Sequence, residues 1–328
     1  MKKIAIVIGG SGFIGGFLIR DLLANKIFDE IYNFDLIQKN FNDSRVIFKE
    51  VDVRKEITEN VGFFDSSSSW IYNLAALCRE PGSESKEYFD TNVNGAENVV
   101  EYAISKGFKN ILFTSTMSSF GRMEYPTTEK EKQYPETPYG ISKLVAEKIH
   151  QIWFAKSISH RLIICRPSVI FGPGDNQNIP RLIGLIKKGI MIFPGDPKII
   201  KSYGYVYGLI ESFAFTIGMV NAKELIYHYA EEDCLSLEEM VNHISKFIDK
   251  KPILLKVPTE PLALVAASIQ FFGSIVGFKS PIHPVRIRKL AFPTNLKPQF
   301  LIDSGFRFNF PFDRALEDWK SKAPNDWS

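Results

Sequence analysis

The first half of the chain alternates short apolar runs with longer segments in which apolar residues recur every three or four positions. The short runs predict buried β-strands at residues 4–8, 31–34, 46–49, 70–74, 110–114 and 162–165. The longer segments predict amphipathic helices at residues 13–24, 91–106 and 139–154. Strands that alternate with helices form parallel sheets covered on both faces, so we predict an α/β fold with a doubly wound parallel sheet.

The pattern changes after Arg166-Pro167, where proline and glycine become frequent and the only clear helical stretches are residues 235–247 and 312–320. We therefore expect residues 1–170 to form the main domain, with strand and helix contributions from later segments. Residues 171–328 are expected to form mainly a smaller, substrate-binding domain at the carboxyl edge of the sheet, where open parallel sheets bind ligands.

Composition narrows the class of protein. Apolar residues make up 45% and charged residues 23% of the 328 residues, which is typical of a folded, soluble protein. A net charge of +3 without a basic stripe gives no indication of nucleic-acid binding. Three cysteines without repeated spacing predict neither a disulfide framework nor a metal site, and a cytoplasmic location fits best. The apolar run at residues 4–8 is too short for a signal peptide and predicts a buried first strand instead.

The first predicted strand leads into three glycines spaced three residues apart, Gly9, Gly12 and Gly15, and then into a helix. Gly9 permits a tight turn, Gly12 lets a pyrophosphate approach the backbone, and Gly15 lets the helix pack against the strand. Asp35 follows at the end of the second strand, where a carboxylate binds the adenosine ribose of NAD and disfavours the 2′-phosphate of NADP. Together they predict a Rossmann-type site for NAD, although the nearby Lys39 would soften the preference.

Tyr139 and Lys143 lie four residues apart on one predicted helix and therefore on the same face. A free tyrosine has a pKa of about 10, and a neighbouring ammonium lowers it. Tyr139 would then accept a proton from a substrate hydroxyl as hydride leaves the adjacent carbon. The preceding strand ends in a segment rich in hydroxyl groups, residues 113–121, one of which would hydrogen-bond the reacting oxygen.

These residues, in this order, resemble the NAD-dependent epimerase/dehydratase branch of the extended short-chain dehydrogenases/reductases. The resemblance also rests on Asp52-Val53-Arg54, Asn73-Leu74-Ala75-Ala76, Asn92-Val93-Asn94-Gly95, Pro138 to Lys143 with Ala146-Glu147, and Arg166-Pro167 with Phe171 to Gly174. It selects Thr116, five residues before Gly121, as the hydroxyl partner of Tyr139 and Lys143. The cofactor-binding residues that it implies are Gly9, Gly12, Phe13, Ile14, Gly15, Asp35, Asp52, Val53, Leu74, Ala75, Ala76, Asn92, Tyr139, Lys143 and Pro167.

The resemblance also separates reactions within the family. Sugar 4,6-dehydratases carry an Asp-Glu pair directly after the threonine, whereas Met117 and Ser118 stand here. A glutamate typical of the decarboxylases is also missing from this stretch, and Asp35 disfavours NADP-dependent reductases. The resemblance therefore implies 4-epimerisation of a diphosphate-linked sugar in surface polysaccharide biosynthesis. An NAD(P)-dependent dehydrogenase or reductase, of a sugar or a sterol-like alcohol, and a non-catalytic NAD-binding regulator remain alternatives.

The second half departs from the family pattern around the substrate. Val169 replaces a common asparagine, Lys201 stands near the place of an arginine that grips the diphosphate, and Gly208 replaces an aspartate. The distal half is similar to epimerases that act on N-acetylglucosamine-diphospho-undecaprenol. We therefore expect the substrate, an N-acetylhexosamine linked to a nucleotide or to a polyprenyl diphosphate, to contact four residues: Thr116, Lys201, Arg286 and Arg288. For the basic cluster, a solvated face is the alternative.

Residues 261–278 contain no charged residue, and basic residues follow them. The stretch is marginal as a membrane span. It would suit peripheral contact with the inner membrane surface, where a lipid-linked diphosphate is found. A core helix of the small domain and a dimer-contact helix are the alternatives. The family resemblance implies a homodimer.

Overall fold

The structure is a computed structural model that describes residues 1–79, 82–275 and 283–327. Its strands, in chain order, are β1 (Ile4–Ile8), β2 (Glu30–Asp35), β3 (Val46–Glu50), β4 (Trp70–Asn73), β5 (Asn110–Thr114), β6 (Met123–Thr127), β7 (Arg161–Pro167), β8 (Val169–Phe171), β9 (Ile190–Pro194), β10 (Ile200–Lys201), β11 (Tyr203–Tyr205), β12 (Glu224–Tyr229), β13 (Leu235–Ser236), β14 (Ile253–Val257) and β15 (Thr294–Leu296).

The helices alternate with these strands through the first half of the chain and then become shorter. They are α1 (Phe13–Asn25), α2 (Ser85–Lys106), α3 (Pro138–Ala155), α4 (Asn178–Lys187), α5 (Val206–Gly218), α6 (Leu237–Phe247), α7 (Thr259–Ile275), α8 (Pro284–Leu290), α9 (Gln299–Asp303) and α10 (Phe312–Lys322).

Seven parallel strands form the central sheet, in the order β12-β7-β5-β4-β1-β2-β3. This confirms the predicted Rossmann-type α/β fold and the six predicted strands. The seventh strand, β12, was missed because its sequence mixes tyrosines and a buried histidine, His228, with aliphatic residues. Helix α2 begins at Ser85, six residues before the predicted start, because Glu84 and Glu87 form a capping box ahead of its apolar stripe.

Both faces of the sheet are buried, as its continuous apolar strands require. In β1, Ile4, Ile6 and Ile8 pack with residues of α2 and α3, whereas Ala5 and Val7 pack with residues of α1 and α5. The order of the strands reverses between β1 and β4. The crevice beyond the carboxyl ends of these two strands is the place where doubly wound sheets bind ligands.

A separate apolar cluster joins α4, α6 and α10 with β8, β9 and β11. It includes Phe171, Ile183, Ile244 and Trp319, all buried. These elements correspond to the smaller domain expected after residue 170, although β12 and α5 return from this half to the central sheet. The boundary near residue 170 remains a prediction.

The uncharged stretch predicted at residues 261–278 falls on α7, and its last three residues lie outside the described residues. Within residues 1–79, 82–275 and 283–327, no helix combines the length and the hydropathy needed to cross a bilayer.

Candidate functional site

The glycine loop lies between β1 and α1 at the point where the strand order reverses. Gly9 has a φ of +81°, and a Cβ atom there would lie 2.9 Å from the backbone nitrogen of Ala75. A Cβ atom on Gly15 would overlap the carbonyl oxygen of Gly9. Gly12 is the N-cap of α1 and has no side chain that could accept a hydrogen bond from the helix. The first amide groups of α1, including those of Phe13 and Ile14, therefore point to the crevice and have no acceptor within the helix. Such a helix end is suited to a pyrophosphate.

Asp35, the last residue of β2, is oriented over this loop by two backbone amides. The amide of Ser11 donates to Oδ2 at 3.0 Å, and the amide of Ile37 donates to Oδ1 at 3.3 Å. Because a carboxylate accepts about four hydrogen bonds, Asp35 retains capacity for ribose hydroxyls. The Nζ of Lys39 occupies the space that a Cβ atom on Gly16 would need, so a cation lies beside this carboxylate.

The next predicted cofactor segment, Asp52-Val53, is held against α2. Asp52 forms an ion pair with Arg54 at 2.7 Å, and Asn98 donates to the carbonyl oxygen of Val53 at 2.8 Å. Gly95 lets the side chain of Val53 approach the helix, since a Cβ atom there would lie 3.1 Å from it. The structure therefore brings this segment to the side of the crevice formed by β2 and β3, and its contact with adenine remains a prediction.

Residues after β4 line the other side of the crevice. The amide of Leu74 donates to the carbonyl oxygen of Ile8 at 2.9 Å, and the backbone of Ala75 packs against Gly9. Asn92, which is buried in α2, accepts from the amide of Leu77 at 2.8 Å and donates to Ser142 Oγ at 2.9 Å. Asn92 thus joins the β4 exit, where Ala76 lies, to α3. The sequence indicated Asn92 but not its partner Ser142.

Thr116 follows β5 and lies beside the first turn of α3. Its Oγ1 accepts a hydrogen bond from the amide of Ser118 at 3.1 Å, which leaves its hydroxyl hydrogen able to donate. A Cβ atom on Gly140 would overlap the carbonyl oxygen of Ser118, so glycine lets α3 approach this turn. Tyr139, the residue before Gly140, is half-buried. The structure therefore brings Thr116 and Tyr139 to neighbouring backbone segments.

Lys143 is buried, with its Nζ 4.1 Å from the centre of the Phe113 ring. Burial lowers the pKa of Lys143 to about 7, and the neighbouring Cys78 and Glu147 act in the opposite direction. His150 stacks on the same Phe113 ring at 4.1 Å, and burial lowers the pKa of His150 to about 4. His150 is therefore neutral at neutral pH, so it adds no competing charge beneath Lys143.

A buried ion pair lies next to Thr116 and Lys143. Arg166, at the end of β7, contacts Glu147 of α3 through two bonds of 2.9 and 2.7 Å. Glu147 also accepts from Ser115, the residue before Thr116. Gln133 accepts from Arg166 at 3.1 Å and donates to Glu147 at 3.2 Å. This network ties β5, α3 and β7 together next to Pro167, and no pattern along the chain indicated Gln133.

Two of the predicted substrate residues, Lys201 and Arg288, contact other parts of the protein in the structure. The Nζ of Lys201 donates to the carbonyl oxygens of Lys289 and Phe292, and burial lowers its pKa to about 7. Arg288 is exposed and forms an ion pair with Glu260 at 2.8 Å. In the structure both cations have protein partners, and their contact with substrate remains a prediction.

Arg286 is half-buried in α8 and lies near two other arginines. Its pKa is lowered by burial and by the charges of Arg181 in α4 and Arg79 after β4. The sequence indicated neither Arg79 nor Arg181, because they are far apart along the chain. Arginine side chains whose charges act on one another in this way are suited to a group with more than one negative charge.

Gly208 replaces the aspartate of the family pattern, and the structure shows what takes its space. A Cβ atom on Gly208 would overlap the hydroxyl of Tyr229 and lie 2.9 Å from Oε1 of Glu231. Tyr229 contacts Glu231 at 2.6 Å and the carbonyl oxygen of Tyr205 at 3.1 Å. A carboxyl group is therefore present beside the start of α5, but it comes from the loop after β12.

The chain is similar in sequence to known sugar epimerases. The sequence profile of the NAD dependent epimerase/dehydratase family matches residues 5–227. An N-acetyl-alpha-D-glucosaminyl-diphospho-ditrans,octacis-undecaprenol 4-epimerase of Escherichia coli O157:H7 is 28% identical over 97% of this chain and 94% of its own length. A UDP-glucose 4-epimerase of Vibrio cholerae is 25% identical over 79% of this chain and 80% of its own.

Solved structures show the same fold. The UDP-glucose 4-epimerase of Thermus thermophilus in complex with NAD has a TM-score of 0.71 at 19% identity, covering 97% of this chain and 98% of that one. The dTDP-glucose 4,6-dehydratase DesIV of Streptomyces venezuelae has a TM-score of 0.73 at 19% identity, covering 98% of both chains. Since the family profile matches more than half of it, the chain belongs to the NAD-dependent epimerase/dehydratase family.

Proposed function

We propose that the chain is an NAD-dependent sugar 4-epimerase whose substrate is an N-acetylhexosamine linked through a diphosphate to a polyprenyl carrier. The observation that supports the reaction is the packing of the turn at Thr116 against the start of α3, the helix of Tyr139 and Lys143, with Met117 and Ser118 in place of an acid pair. Support for the carrier comes from the Escherichia coli relative, which matches 97% of the chain. A nucleotide-linked sugar is the alternative outcome of the test below.

The residues of the crevice fit NAD. The uncapped start of α1 would hold the pyrophosphate, Asp35 the adenosine ribose, and Lys143 the nicotinamide ribose. Asp52 and Val53 would contact adenine, and the residues of the β4 exit and Pro167 would line the nicotinamide end. When bound, NAD supplies a hydride acceptor for C4 of the sugar that also returns the hydride.

Side chains of the protein transfer the proton of the C4 hydroxyl and stabilise the charge that develops on its oxygen. Tyr139 takes the proton of the C4 hydroxyl and gives it back after the keto sugar has rotated, so one acid–base group serves both directions. Thr116 donates a hydrogen bond to the C4 oxygen. The pKa of Lys143 is lowered to about 7 by burial, and its protonated form favours ionisation of Tyr139.

We assign the diphosphate to Arg286, together with Arg79 and Arg181. Lys201 is proposed to contribute indirectly, since its bonds to the carbonyl oxygens of Lys289 and Phe292 fix the end of α8. Arg288 is proposed to contact the substrate only if it leaves Glu260.

A direct test uses purified protein with N-acetylglucosamine-diphospho-undecaprenol and, separately, with UDP-N-acetylglucosamine. We expect N-acetylgalactosamine to form on the lipid carrier without net production of NADH. Product on the nucleotide alone would reassign the carrier. Steady consumption of NADH with a keto sugar, and no epimer with either carrier, would identify a reductase instead.

We also propose a homodimer. The outer faces of α2 and α3 carry apolar side chains that are more than one-third exposed and that a second copy would cover: Phe89, Ile104, Ile141, Val145 and Ile152. Sedimentation velocity would measure the mass, and a monomer at micromolar concentration would contradict this.

A further inference from the structure

Helix α7 turns its large apolar side chains away from the protein. Ala263 and Ala266 are 1% exposed, whereas Leu264 is 63% exposed and Phe271 and Phe272 are each 65% exposed. A helix on the surface of a soluble domain normally buries its large apolar residues and exposes polar ones. The interpretation of this stretch as a core helix therefore does not account for the described part of α7.

The two-stranded sheet formed by β9 and β14 exposes a second apolar surface. The parallel pairing of β9 and β14 places Ile190 beside Ile253 and Ile192 beside Leu255, so these four side chains share one face. All four are exposed, whereas Met191 and Phe193 on the opposite face of β9 are buried. Strand β14 leads directly into α7 through Pro258. We call these exposed apolar residues of α7, β9 and β14 together the α7 surface: Leu264, Val265, Ile269, Phe271 and Phe272 with Ile190, Ile192, Ile253 and Leu255.

The segment that runs from β14 to α8 is rich in basic residues along the sequence. Residues 250–291 contain seven basic residues and one acidic residue, whereas the whole chain has 40 basic and 37 acidic residues. Two of these basic residues have acidic partners: Arg288 pairs with Glu260 at 2.8 Å, and Lys256 pairs with Asp196, which follows β9, at 3.8 Å. An excess of positive charge is left. An anionic bilayer surface attracts such a segment. A second copy of the chain would bring the same positive charge against itself, so charge complementarity favours a membrane over self-association.

The α7 surface is connected to the proposed diphosphate site. Helix α8, which packs against α7, contains Arg286, and its carboxyl end is held by Lys201 of β10. A polyprenyl-linked sugar has its diphosphate at the level of the lipid head groups. A protein lying on the bilayer through α7 would therefore bring α8 to the depth at which this diphosphate is found.

We propose that the α7 surface binds the anionic surface of a lipid bilayer and lies in the head-group region without crossing it. The biological use of this contact, delivery of a lipid-linked diphosphate, rests on the proposed function. The contact itself is a property of the surface and can be measured without substrate.

The test is co-sedimentation of the full-length protein with sucrose-loaded vesicles, of phosphatidylcholine alone or with phosphatidylglycerol. The test variant is Phe271→Ser/Phe272→Ser, and the control variant is Phe63→Ser/Ile158→Ser, which removes two even more exposed apolar side chains elsewhere. Bound NAD and the thermal melting curve would show that each variant is folded.

We expect the wild type to bind vesicles that contain phosphatidylglycerol. The test variant should bind about tenfold or more weakly, because each phenylalanine loses the free energy of apolar burial, and the control variant should bind like the wild type. Wild type that stays in the supernatant, or a test variant that binds as well as the wild type, would overturn the proposal. So would a test variant whose only change is its oligomeric state. Because the vesicles contain no sugar, this result is independent of whether the protein is an epimerase.

Discussion

Glu231 offers a test of how the chain compensates for the aspartate replaced by Gly208. Its carboxyl group is buried, and burial raises its pKa from 4.5 to about 7, partly opposed by the hydrogen bond from Tyr229. Asp233 and Glu211 raise it further. In the neutral form, Glu231 can donate to the hydroxyl of Tyr229, which in turn donates to the carbonyl oxygen of Tyr205. The folded protein therefore favours the protonated acid.

The sign of the effect on stability follows from this direction. Below pH 4.5 the carboxyl group is protonated in both states, so its ionisation costs nothing. Between pH 4.5 and about 7 it ionises in the unfolded chain but not in the folded one, and the free energy of unfolding falls. Each pH unit in this window is worth about 1.4 kcal/mol. The loss is therefore about 3 kcal/mol, and it is complete above pH 7.

Glu231→Gln removes this titration and keeps a donor for Tyr229. We expect the variant to gain about 2 to 3 kcal/mol relative to the wild type between pH 5 and pH 8. Urea titrations at both pH values would measure the free energy of unfolding. Any change in stability that the glutamine side chain causes equally at both pH values cancels in the comparison. Glu232→Gln, at an exposed neighbour, is the matched control. A difference between Glu231→Gln and wild type that is equal at both pH values would refute the reasoning.

The remaining predictions concern the site. Tyr139→Phe should lower turnover by about 100-fold or more, because it removes the acid–base group, while bound NAD stays detectable by its absorbance after denaturation; near-normal turnover would exclude the assigned role. Asp35→Ala should weaken NAD more than NADP in calorimetric titrations, and an unchanged ratio would leave the ribose contact without support. Glu147→Ala should destabilise the fold by about 3 to 5 kcal/mol, because Arg166 would remain buried without its partner; a urea midpoint close to that of the wild type would contradict this.

Local sequence signals predicted the sheet and the cofactor crevice well. The apolar run of β1, the glycines that follow it and Asp35 are close together along the chain and form one cofactor-binding motif. Such a motif can be recognised from the sequence alone. The glycines are needed for a positive φ and for close approach, and these requirements hold in any context. The predicted α/β class and the NAD-dependent family are confirmed.

Contacts between distant segments could not be predicted in the same way. The charges of Arg79 and Arg181 act on Arg286 although the three residues are far apart along the chain, and nothing in their spacing shows this. The position of the Glu231 carboxyl group beside Gly208 depends on the return of β12 to the sheet. The residue type at such a position depends on its neighbours in the folded protein, and a single sequence does not show which residues these are.

The most direct test of 4-epimerisation follows the hydrogen atom on C4. N-acetylglucosamine labelled with deuterium at C4 would be supplied on the polyprenyl diphosphate and, separately, on UDP. If the hydride leaves C4 and returns to its other face, the product is N-acetylgalactosamine with the deuterium still at C4 and no NADH accumulates. A keto sugar formed together with an equal amount of deuterated NADH, without the epimer, would contradict 4-epimerisation.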